Sequence, residues 1–86
     1  MTQLKAKSTT EPKKLAAAIA GVIKTEGTVE IIGIGASAVN QIVKSIIVAS
    51  SYLIPIGINL ASKMSFDKVE LGEDSRTAIK FTVETK

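Results

Sequence analysis

Thr28-Val29-Glu30-Ile31-Ile32-Gly33-Ile34-Gly35-Ala36-Ser37-Ala38-Val39-Asn40-Gln41 is the stretch on which the fold turns. Its first seven residues are mostly β-branched and carry one charge, Glu30, so they predict a central strand covered on both faces. After Gly35 the apolar spacing changes from strand to helix, and residues 36–53 predict a helix that lasts until Pro55 and Gly57 force a turn. Three readings of the glycines between the two elements are open. Gly33-Ile34-Gly35-Ala36-Ser37-Ala38 has the spacing of a dinucleotide-binding turn, but the acidic residue expected about 20 positions later is missing, the next being Asp67. The glycines also suit a tight strand-to-helix turn with close packing. The third reading is a phosphate site built from the free amides of Gly35, Ala36, Ser37 and Ala38, the Ser37 hydroxyl and the positive end of the helix dipole.

Working outward, residues 3–7 alternate, with Leu4 and Ala6 facing one way and Lys5 and Lys7 the other, which predicts a short first strand. Ser8, Thr9 and Thr10 offer capping oxygens, Pro12 suits a first helical turn, and Gly27 ends the helix over 12–26. Leu15, Ala18, Ile19, Val22 and Ile23 are its expected core face. Residues 58–71 predict a strand whose apolar phase slips between Phe66 and Val69, so a bulge is expected near Asp67 and Lys68. Residues 72–76 read as a polar hairpin loop and 77–85 as the last strand. The order is βαβαββ: a single α/β domain over residues 1–86, two helices on one face of a four-stranded mixed sheet in an α+β two-layer sandwich.

The helix over 36–53 is apolar over more than one stripe. Val39, Ile42, Val43, Ile46 and Leu53 are expected to face the sheet, while Ile47, Val48 and Tyr52 widen the arc. An apolar outer surface of this kind marks an interface, so a homodimer through Ile47, Val48, Ser51 and Tyr52 is expected.

Composition narrows the chemistry. The chain of 86 residues contains no His and no Cys, so nucleophilic triads, disulfides and the usual zinc ligand sets are out of reach, and neither metal nor cofactor is expected. Glu73 and Asp74 read as a solvated turn, not an acid–base pair, and no enzyme is expected. Neither a signal peptide nor a run of about 20 uninterrupted apolar residues is evident, so the expectation is a soluble cytoplasmic protein, nucleoid association included, with no membrane partner. Charge is uneven: residues 1–44 hold six lysines against Glu11, Glu26 and Glu30, whereas the remainder is balanced. A polyanion is therefore expected at the N-terminal half, through Lys7, Thr9, Lys13 and Lys14 of the first loop, Gly35, Ala36 and Ser37, then Asn40, Gln41 and Lys44, with Arg76 from the hairpin. Aromatic residues are only 3% of the chain, so contact with backbone phosphates is favoured over base stacking.

Glu30-Ile31, Ile34-Gly35-Ala36, Asn40-Gln41, Val43-Lys44, Pro12, residues 16–22, Pro55, Gly57, Phe66 and Arg76-Thr77-Ala78-Ile79-Lys80 together resemble the stage V sporulation protein S family over nearly the whole length. The resemblance implies an Alba-like fold that dimerises and binds DNA or RNA, with nucleic acid meeting the first loop, the start of the second helix and the hairpin. It also implies a regulatory role in sporulation or related development. Alba proteins differ in having paired lysines near Thr10-Glu11 and arginines around Gly33 to Ser37, and Ser50 stands where relatives often carry a basic residue. Weak, salt-sensitive, largely sequence-independent binding follows. The alternative is a protein-interaction adaptor on the same scaffold that does not bind nucleic acid. A metabolite- or nucleotide-binding regulator, resting on residues 33–38 alone, is third.

Overall fold

The computed structural model describes residues 1–71 and 74–86, with the side chains of 69–76 left aside. The elements are β1 (Gln3–Ala6), α1 (Pro12–Glu26), β2 (Thr28–Gly33), α2 (Ala36–Leu53), a single 3-10 turn (Ile54–Ile56), β3 (Leu60–Leu71) and β4 (Asp74–Thr85). They form one mixed sheet in the order β1-β2-β4-β3, with β1 parallel to β2 and the other pairs antiparallel. The expected βαβαββ two-layer sandwich is what the chain adopts.

The core lies between the helices and one sheet face. Leu15, Ala16, Ile19, Ala20 and Ile23 of α1 meet Val29 and Ile31 of β2, Phe81 and Val83 of β4, and Ile42, Ala49 and Leu53 of α2. Gly33 lets α2 approach the sheet closely: a Cβ there would stand 2.8 Å from the Ile42 Cδ1 and 3.2 Å from the Ala38 Cβ. The opposite face is largely polar, although Ile32 and Ala78 on it are buried. Glu30 lies at its centre, accepting from the Gln3 side-chain amide at 3.3 Å and paired with Lys80 at 3.7 Å. The expectation that β2 is covered on both faces holds only in part: on this face Ile32 is buried, but Glu30 and Thr28 are only half-buried.

Several local expectations are also corrected. In α1 the buried positions include Ala16 and Ala20, while Ala18 is exposed, because alanines fit either side of an apolar stripe and periodicity cannot choose between them. No side chain caps α1: Glu11 is its cap residue, and Thr10 is otherwise engaged. In α2 Val43 is 41% exposed and Ser45 is buried, its hydroxyl donating to the Gln41 carbonyl at 2.6 Å. The bulge is absent. β3 pairs with β4 in unbroken register from Leu60 against Thr85 to Leu71 against Asp74. The slip in apolar phase arises instead because Met64 and Phe66, on the helix-bearing face, lie 65% and 79% exposed and were never core positions. The hairpin loop expected over 72–76 is shorter, since β4 already begins at Asp74; Gly72 and Glu73 lie outside the described residues.

Residues 36–56 are long and apolar enough to cross a membrane by length and composition, although no uninterrupted apolar run of that length was expected. Here they form a core helix, packed on the sheet through Ala38, Ile42, Ala49 and Leu53. Yet only 22% of its most apolar window is buried.

Candidate nucleic-acid interface

The β1–α1 loop is closed by one residue. The Thr10 amide donates to the Lys7 carbonyl at 3.1 Å, and the Lys7 amide donates back to the Thr10 hydroxyl oxygen at 2.8 Å. This reciprocal pair leaves Lys7, Ser8 and Thr9 at the exposed tip. The Thr10 carbonyl in turn accepts from the Gln41 side-chain amide of α2 at 2.9 Å. Gln41 is therefore a structural clamp in the single chain, half-buried, with its side-chain amide engaged by the loop.

The start of α2 is shaped by Gly35, whose backbone at φ 87°, ψ 159° lies in a region essentially confined to glycine. Its carbonyl accepts the Val39 amide at 3.1 Å, and no side chain caps the helix. The first amides of α2 therefore have no intrahelical acceptor, and Gly35, Ala36 and Ser37 are exposed.

The expected contact residues fall into two neighbouring groups. Lys7, Gly35, Ala36 and Ser37 border an open hollow at the C-terminal ends of β1 and β2, together with Lys5 and Lys68. Lys13 and Lys44 border a groove between α1 and α2. Asn40 is exposed one helical turn before Lys44, Thr9 is exposed at the loop tip, and Lys14 is exposed and paired with Glu11 at 3.6 Å. Acidic groups enter both places, Glu11 in the groove and Asp67 in the hollow, and they lower the positive potential there. The Arg76 side chain lies outside the described residues; its backbone pairs with Val69.

Lys5 and Lys68 were not among the expected contacts. Lys5 was legible, since strand alternation sets it on the same side as Lys7. Lys68 was not, because only the sheet order carries the distant β3 to the border of this hollow.

The expected interface residues also divide. Ile47 and Tyr52 are 64% and 45% exposed and Ser51 is exposed, but Val48 is half-buried, packing against the core and bordering the groove beside Pro12 and Lys13. Helical spacing puts Val43, Ile47 and Ile54 on one flank of α2, all three exposed, with Ile47 also bordering the groove beside Pro12 and Lys13. Among the described residues no group of three or more acidic side chains forms a candidate metal site.

The model of the stage V sporulation protein S family matches residues 2–86, the chain but for its first residue. With the βαβαββ order and the mixed sheet independently in place, the chain belongs to the stage V sporulation protein S family and carries the sporulation-related role of that family.

Proposed function

We propose that the chain is a dimeric regulator, acting in the cytoplasm, that binds the sugar–phosphate backbone of DNA or RNA weakly and with little regard to sequence. The observation that carries this reading is the Thr10–Gln41 clamp, which ties the lysine-bearing first loop to the helix that presents Lys44 and the unpaired amides of its first turn. Cationic groups and bare N–H donors thereby gather where two elements meet, and phosphate is the ligand such a set fits. Beyond the residues that pair with β2, the β3–β4 hairpin continues as a two-stranded arm that carries Arg76 at its outer part. Glu11 and Asp67 keep the affinity low. A homodimer is supported by the exposed flank of α2, where Val43, Ile47 and Ile54 have no covering element within the described residues.

One observation favours the adaptor reading: Met64, Phe66, Ile47 and Ile56 are large, apolar and exposed, which suits a protein partner better than a polyanion. Fluorescence anisotropy with short duplex DNA and RNA at low and moderate salt separates the two. Binding is expected to weaken with a slope of about 0.9 per phosphate neutralised for each tenfold rise in salt. Lys13→Glu combined with Lys44→Glu is expected to weaken it further and lower the slope by about two. Absent salt-dependent binding, or binding indifferent to the double reversal, rejects the nucleic-acid reading in favour of the adaptor.

A further inference from the structure

β3 is the long free edge of the sheet. Only β4 flanks it, and it runs 12 residues, against 4 for β1 at the opposite edge. An edge strand offers a row of unpaired backbone N–H and C=O groups to another strand unless it is short, bulged, proline-bearing, covered or charged. β3 contains no proline, and its unbroken register with β4 leaves it unbulged. Among the described residues, charge is the protection that remains. Lys63 and Asp67 both lie on the face away from the helices, because their β4 partners Thr82 and Ala78 alternate with the core residues Phe81 and Val83. Met64 and Phe66 lie on the helix-bearing face, 65% and 79% exposed.

We propose that the outer edge of β3 pairs antiparallel with β3 of a second copy about a two-fold axis through Ser65, joining the two sheets into one. In that register Lys63 stands opposite the second copy's Asp67, and Asp67 opposite its Lys63. On the other face Met64 stands opposite Phe66, again twice. The strand is thus complementary to itself in charge and in apolar contact at once, and both kinds of cross-strand pair stabilise an antiparallel ladder. Neighbouring registers lose the charge match and keep one apolar self-pair each, Met64 on Met64 or Phe66 on Phe66, in place of two Met64–Phe66 pairs. Centring on Met64 sets Lys63 against Ser65 and Phe66 against Ser62, while centring on Phe66 sets Met64 against Lys68 and brings Ser65 to Asp67. The helices of the two copies fall on the same side of the joined sheet, so the Met64 and Phe66 rows lie on the face that bears both α2 helices. This inference rests on the homodimer proposed above and moves its contact from the exposed flank of α2 to the edge of β3, since α2 packs over β1 and β2 at the other side of the sheet.

Sedimentation of the full chain tests it, using the wild type, Lys63→Asp, Asp67→Lys, the double exchange Lys63→Asp with Asp67→Lys, and Ile47→Glu. The wild type is expected to dimerise. Each single reversal sets like charges opposite each other twice per dimer and is expected to weaken association roughly tenfold or more, while the double exchange recovers it to within about threefold. Recovery by the double exchange also excludes misfolding as the cause. Single reversals that associate like the wild type, or a double exchange as weak as either single, overturn the edge pairing. If only Ile47→Glu dissociates the dimer, the α2 contact stands and the edge pairing falls; a monomeric wild type removes both.

Discussion

Gly35 is where one residue decides most. Its combination of φ 87° and ψ 159° is closed to residues with a Cβ, and a cost of about 1–3 kcal/mol attaches to forcing one there. Space is not the obstacle, since an added Cβ would meet nothing within 4 Å. Gly35→Ala is therefore expected to lower unfolding free energy by that amount in urea titration, and it separates backbone strain from crowding. The turn was readable from the glycines alone, and the structure explains both: Gly35 for its backbone, Gly33 for the approach of Ile42. What sequence could not show is which oxygens cap what. Thr10 was a candidate cap by type and position, yet its hydroxyl closes the loop behind it and leaves α1 uncapped.

Among the elements, α2 shows both how far a pattern reaches and where it stops. Its ends were legible because Gly35 and Pro55 interrupt any helix. Its inward face was not, since an apolar arc wider than one stripe fits several rotations; Val43 was expected inside and lies outside, while the hydroxyl-bearing Ser45 is buried. β3 failed for a related reason. Alternation implies burial only for strands with a layer above them, and much of this edge has none, so exposed Met64 and Phe66 looked like core residues out of phase. The clamp from α2 to the first loop adds a test at this scale. Gln41→Ala removes the donor to the half-buried Thr10 carbonyl and is expected to cost about 1 kcal/mol. Amide exchange should quicken across residues 7–10 while the rest of α1 keeps its protection; unchanged exchange in the loop would show that the clamp does not hold it.

At the scale of the molecule, 86 residues make a small core, and association contributes to stability in proportion to occupancy. The melting temperature of a dimer is accordingly expected to rise by a degree or more for each tenfold increase in protein concentration, measured by circular dichroism, and a concentration-independent value would mark a chain that folds alone. The basic half of the candidate site was legible from the uneven lysine distribution. Its full outline was not, because Lys5 and Lys68 come from opposite edge strands and meet at one hollow only through the order β1-β2-β4-β3.

Thr10 is gripped from two directions, by Lys7 of its own loop and by Gln41 of the long helix. The loop is thereby a gauge of where that helix lies: whatever settles on the exposed flank of α2 and shifts it displaces the ammonium groups at the tip. Linkage then runs both ways, so a polyanion seated on those ammonium groups would tighten or loosen the grip of a second chain on the helix by the same factor.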